Sequence, residues 1–202
     1  MSGNEVAKRI ILASGSPRRR QLLEQAGIPH EVMVSGADET VTGNPAQQVE
    51  TLALRKAKAV LPLVDASQGD AIIIAADTLV FIGNEVLSKP ESHDEAFDML
   101  KKLQGNAHEV YTGVVLLDVA SGKTNVFAEV AEVVFRPLSD EEILAYIATG
   151  EPFDKAGAYG IQEKGATLVE RINGDFYTVM GLPISKVCTA LGEMGYDYWH
   201  RR

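Results

Sequence analysis

Near the start of the chain, Ser14-Gly15-Ser16-Pro17-Arg18-Arg19-Arg20 combines a glycine turn, a helix start and three guanidinium groups. Helix N-termini present unpaired backbone N–H groups and hold anions well. Arginines in a first turn oppose the helix dipole and cost stability unless something negative sits nearby. The string therefore reads as a phosphate site; the plainer alternative is a solvated basic helix start. The chain carries 28 acidic against 19 basic side chains, a net charge of -9. A local knot of arginines in so acidic a protein argues for the phosphate reading. On a helical projection Arg19 lines up with Leu22, Leu23 and Ala26, flanked by Arg18 and Arg20.

Five further features could join that site. Lys56 shares an apolar helical stripe with Val49, Ala53 and Val60, with Leu52 alongside. It is either a snorkelling lysine or, together with Arg18 and Arg19, a phosphate ligand. Asp77 follows the apolar run Ala71–Ala76 directly. A carboxylate at the end of a buried strand must be paired, hydrogen-bonded or on metal. It could be a general base for water, a ligand of a divalent metal, or a strand-end Asp bonding the Thr78 backbone. Lys89 precedes Pro90, which holds it out of a helix. Glu39 lies in an acidic loop, Asp38-Glu39, as a second metal ligand or a solvated acid. Finally, Asp154–Gln162 reads Asp-Lys-Ala-Gly-Ala-Tyr-Gly-Ile-Gln. Gly157 and Gly160 permit close backbone approach to a ligand, and the Gln162 amide could satisfy both N3–H and O4 of uracil or thymine.

Other patterns exclude function classes. Ser121-Gly122-Lys123-Thr124 imitates the tail of a P-loop, but Leu117 stands at the first glycine position, and a hairpin turn explains it better. His30, His93, His108 and His200 lack zinc spacing; Cys188 falls on a core stripe with Ile184, Val187 and Leu191. A single cysteine excludes an internal disulfide and suits a reducing compartment. With no membrane-length apolar run and a polar stretch at Met1 to Arg9, a cytoplasmic location is expected. The acidic balance argues against nucleic-acid binding.

The elements that must position these residues alternate between helix and strand. Strands are expected at Arg9 to Ser14, Glu31 to Ser35, and Ala71 to Ala76. Leu79–Ile82 and Glu85–Leu87 form a hairpin about Gly83-Asn84. Two long strands, Glu109 to Val119 and Thr124 to Arg136, flank a Ser121-Gly122 turn, and a last strand covers Ala166–Ile172. Helices start at Pro17 (capped by Ser16), run from Pro45 to Leu61, follow capping boxes Ser92/Glu95 and Ser139/Glu142, and run from Pro183 to Glu193. The expected class is α/β, a mixed twisted sheet flanked by helices.

Taken together, several strings resemble the Maf family of nucleotide pyrophosphatases. They are Leu12–Arg19, Ala76-Asp77-Thr78, Lys89-Pro90, Tyr111-Thr112-Gly113, Asp154–Gln162 and Gly181-Leu182-Pro183, in family order over roughly residues 10 to 190. The resemblance implies one domain of two lobes around an active-site cleft, similar to the inosine triphosphate pyrophosphatase fold and often dimeric. It implies metal-assisted attack of water at the α-phosphorus of a nucleoside triphosphate, with magnesium or manganese. Asp77 matches the family's proposed general base. Arg18, Thr78 and Gln162 match positions tied to substrate choice. Ser14, Arg19, Glu39, Lys56 and Lys89 match positions expected to hold phosphates or metal. Gly15 and the Asp154–Gln162 string resemble the dTTP/UTP branch rather than the 7-methyl-GTP branch. Departures are Ala75, where a glycine is common, and Glu163 after Gln162. The alternatives are a 7-methyl-GTP or inosine-type purine enzyme, and a nucleotide-binding regulator of septum formation without turnover.

Overall fold

A computed structural model describes residues 8–34 and 36–199. Ser35, His200 and the stretch before Lys8 lie outside them. Among the described residues, seven strands form one mixed sheet in the order β2-β1-β3-β5-β6-β7, with β4 paired to β3. The strands are β1 Arg9–Leu12, β2 Glu31–Val32, β3 Ala71–Ile82, β4 Glu85–Leu87, β5 Ala107–Asp118, β6 Thr124–Phe135 and β7 Val169–Asn173. β1 runs parallel to β2 and β3, whereas β4 is antiparallel to β3 and β7 to β6. The helices are α1 Pro17–Gln25, α2 Pro45–Val60, α3 His93–Leu103, α4 Asp140–Ile147, α5 Phe176–Met180 and α6 Ile184–Glu193. The expected mixed α/β class is what forms. No helix of the described residues is long and apolar enough to cross a membrane.

Two compact units divide the chain. The first takes its described residues from Met1–Asp77, Gly113–Ala128 and Gly181–Arg202, the second from Thr78–Thr112 and Glu129–Met180. Each has its own apolar core. In the first, Ile11, Ala53, Ala57, Val60, Ile73, Ala75 and Val115 pack together. In the second, Leu100, Leu103, Val110, Val133, Phe135, Ile143 and Tyr159 do so. Gly113 lets β5 lie against α2 in the first unit: a Cβ there would stand 2.3 Å from the Val49 carbonyl carbon.

Several local expectations change. Ser16 occupies the cap position of α1 but makes no side-chain cap; instead its N–H donates to Ser14 Oγ at 3.2 Å. Among the described residues, β2 is two residues long rather than five. α2 gains a full capping box from Asn44 and Gln47. At α3, Ser92 accepts from the Glu95 N–H, but the Glu95 carboxylate reaches past it to the Glu91 N–H. The Ser139/Glu142 box forms in full. Residues Glu163–Leu168 coil into a 3₁₀ turn, so the following strand starts late, at Val169. The false P-loop is a turn, with Asp118 Oδ1 accepting from the N–H and hydroxyl of Ser121, each at 2.8 Å. Burial works to raise the Asp118 carboxyl, but Lys8 and Ser121 outweigh it and hold it down at about 2.

The largest correction concerns Asp77. β3 is one strand of twelve residues that runs through Asp77 and Thr78 to Ile82. Asp77 is therefore mid-strand, and it is buried. The apolar run ended there in the sequence because the residue changes character, not because the backbone does.

Candidate active site

In the first unit the chain gathers five of the expected residues. β1 leads into Ser14, and the turn at Gly15 opens α1, which carries Arg19 back over Ser14. Arg19 Nη1 donates to Ser14 Oγ at 3.0 Å, and its Nε donates to the Gly181 carbonyl at 2.7 Å. Ser14 Oγ thus accepts from both Arg19 and the Ser16 N–H, and what it can still offer is its own proton. Burial pushes the Arg19 guanidinium below its ordinary value, while Asp77 and Glu39 act to hold the proton and neighbouring Arg18 opposes them.

Lys56 projects from the buried face of α2, between turns that set Val49, Leu52, Ala53, Ala57 and Val60 in the core. Its ammonium donates to Asp77 Oδ1 and stands 3.1 Å from Glu39 Oε1. The stem is covered against the core and the charge is paired with carboxylates rather than left in water. Pairing also explains how a strand interior tolerates Asp77. The alternative of a carboxylate spent on the Thr78 backbone is not what forms, since its bond goes to Lys56. The two carboxylates converge on one cation. Two carboxylates completed by water and phosphate oxygens is a donor set that suits magnesium or manganese. Among the described residues no group of three or more His, Cys, Asp or Glu forms a metal site without a substrate's help.

The second unit holds Thr78, Lys89 and Gln162. Lys89 is exposed, and Pro90 beside it is buried. The adjacent Ser88 carbonyl accepts from the Gly157 N–H at 3.1 Å, joining the Lys89 stretch to the Asp154–Gln162 segment. That segment is tightly held. Gly157 has a φ of +71° and faces Val80 so closely that a Cβ would lie 3.0 Å from its methyl group. Lys155 donates to the Glu151 carbonyl at 2.7 Å and to Asp154 at 2.6 Å. The Gly160 N–H donates to the Tyr146 hydroxyl at 3.2 Å. Tyr159 bonds His108 Nε2 at 2.8 Å in the core, edge-on to Phe135 at 4.7 Å between centroids. Burial pushes both tyrosine phenols up and the His108 imidazole down to about 4, so all three are neutral near pH 7.

The family model described as Maf-like protein matches residues 9–194. The chain belongs to the Maf family. Among relatives of this Maf chain, a protein of Bacillus cereus named dTTP/UTP pyrophosphatase is 48% identical over 97% of this chain and 95% of its own length. One of Bacillus anthracis with the same name is 48% identical over 96% of this chain and 99% of its own. A solved dITP/XTP pyrophosphatase of Mycobacterium abscessus aligns with 92% of this chain and 98% of its own at 13% identity, with a TM-score of 0.42, too distant to carry an argument.

Motif reading missed the partners that hold the Maf residues in place. The Gly181 carbonyl anchors Arg19, and Thr112 and Thr178 stand behind Thr78. Gly181-Leu182-Pro183 and Tyr111-Thr112-Gly113 were visible as strings. Their purpose was not, because each acts across scores of residues of sequence.

Proposed function

We infer that this chain hydrolyses dTTP and UTP to the monophosphate and pyrophosphate, in the cytoplasm and with a divalent metal. The observation that carries the chemistry is the buried Asp77 carboxylate bonded by Lys56, in the unit that also holds Ser14-anchored Arg19. Near-complete alignment at 48% identity to enzymes named for dTTP and UTP supports the substrate.

In this reading the cations and the helix start of α1 receive the triphosphate. Arg18, Arg19, Lys56 and Lys89 offset its charge and stabilise the charge that develops on the departing pyrophosphate. Asp77 orients a water toward the α-phosphorus and takes its proton. The water oxygen bonds phosphorus as the bond from the α-phosphorus to the bridging oxygen breaks, and pyrophosphate leaves. Lys56 must yield Asp77 Oδ1 or share it, and the second carboxylate oxygen faces the water. Glu39 and Asp77 would hold the metal, which supplies charge neutralisation at the phosphate oxygens. In the second unit, Thr78 and Gln162 choose the base, Thr78 accepting from N3–H and the Gln162 amide donating to O4.

The test is a pyrophosphate-release panel over dTTP, UTP, 7-methyl-GTP and ITP with magnesium, manganese or EDTA, for wild type and Asp77→Asn. Metal-dependent release from dTTP and UTP, abolished in folded D77N, is expected. Full activity in D77N removes Asp77 from the chemistry. A preference for either purine substrate overturns the base assignment, and nucleotide binding without turnover makes the protein a regulator.

A further inference from the structure

We propose that Thr112 is a positioning residue that commits Thr78 to accept a hydrogen bond, so that the site selects bases carrying an imide N–H. Thr112 is fully buried on β5. Its Oγ1 lies 2.8 Å from the carbonyl oxygen of Thr178. A carbonyl only accepts, so the single proton of the Thr112 hydroxyl is used there. The 2.9 Å contact between Thr112 Oγ1 and Thr78 Oγ1 then has one direction. Thr78 donates to Thr112, and the lone pairs of Thr78 are what it presents to other groups.

The far end of this relay is rigid. Thr178 lies in α5, a helix of five residues, and carbonyls of a last turn have no partner within their helix. The Asp175 carboxylate fixes the turn, accepting from the Tyr177 N–H at 3.2 Å, the Thr178 N–H at 2.9 Å and the Thr178 hydroxyl at 2.9 Å. Thr178, like Thr112, is fully buried. A backbone carbonyl thus sets the polarity of Thr78, and no hydroxyl rotation can reverse it.

The consequence rests on the reading that Thr78 meets the base. Uracil and thymine carry a proton at N3, whereas cytosine presents a lone pair there. An acceptor hydroxyl attracts the first and repels the second. A freely rotating hydroxyl would donate or accept on demand and discriminate little. Sites built around a specific hydrogen bond reject analogues that cannot make it, because the buried group is left unpaired.

The experiment compares kcat/KM for UTP and CTP in wild type, Thr112→Val, Thr112→Ala, Thr112→Ser and Thr78→Val, with folding checked by circular dichroism. The UTP-to-CTP ratio should fall at least about tenfold in T112V and T112A, the scale of one well-placed hydrogen bond. In T112S, which keeps the hydroxyl, it should stay within about threefold of wild type. Loss of activity on both substrates in T112V and T112A with the ratio unchanged overturns the relay. T112A carries the test if T112V does not fold. An unchanged ratio in T78V overturns the premise that Thr78 meets the base; a ratio that falls in T78V alone overturns only the role of Thr112.

Discussion

Lowering the pH should destabilise this protein through one buried residue, His108. His108 is 2% exposed, its Nε2 bonds the Tyr159 hydroxyl, and its Nδ1 is buried without a partner. Burial moves the imidazole from 6.5 down to about 4 in the fold. The folded pKa lies below the unfolded one, so folding favours the neutral ring. Above the unfolded value neither state binds the proton, and stability is level. As pH falls through that value the unfolded chain binds a proton that the native state refuses, and stability drops until the folded value is reached. The full gap corresponds to roughly 3 kcal/mol, of which about 2 kcal/mol is lost between about pH 7.5 and 5.0. The neighbouring Tyr159 and Phe135 rings bring no charge to offset this, and Asp118, held down at about 2, titrates below the window. The assay is urea unfolding of wild type and His108→Gln at several pH values across that range. H108Q, less stable at neutral pH, should show a shallower pH dependence by roughly 1 kcal/mol per pH unit near pH 5. Parallel curves would refute the assignment of the neutral, desolvated ring.

Two further outcomes follow from the same geometry. Lys56→Met removes the cation from a carboxylate that is largely buried, and should cost roughly 2 kcal/mol after allowing for partial exposure, or about 4–8 °C in melting temperature. Adding Asp77→Asn should restore part of that loss by removing the orphaned charge; a double variant no more stable than the single one would contradict the pairing. Glu163 is exposed and holds a φ of +58°, a conformation that costs a side-chain-bearing residue about 1–2 kcal/mol. Glu163→Gly, after its own entropic cost, should gain about 0.5–1 kcal/mol, read as a small rise in melting temperature. A fall in melting temperature would place Glu163 in a contact that outweighs its strain.

What the sequence disclosed and what it hid divide along physical lines. Helices with local signatures were readable: the Ser139/Glu142 box and the apolar stripe of α2 depend on residues within a turn or two of each other. Asp77 as the end of a strand was misread because polarity was taken for a change in backbone. A mid-strand carboxylate is stable only through Lys56, and that partner lies on another element. α5 escaped because five residues make little more than one turn, too few for an apolar period to repeat, and its stability comes from Asp175 bonding its first turn. In the same way, Lys56 and Arg19 stood out by type and spacing as candidates, whereas the Gly181 carbonyl that anchors Arg19 has no signature in side-chain chemistry at all. Backbone acceptors become visible only once the chain is folded.

If Arg19 meets the nucleotide as proposed, its two-point hold carries a consequence for binding. A guanidinium bonded to both a backbone carbonyl and a serine hydroxyl has already given up most of its rotamer freedom when the chain folds. An arriving polyanion therefore has no wandering side chain to order at that point, and the entropic penalty of association is smaller by that amount. In that role the arginine would act less as a tether that gropes for phosphate than as a fixed electrode, in place before any ligand diffuses in.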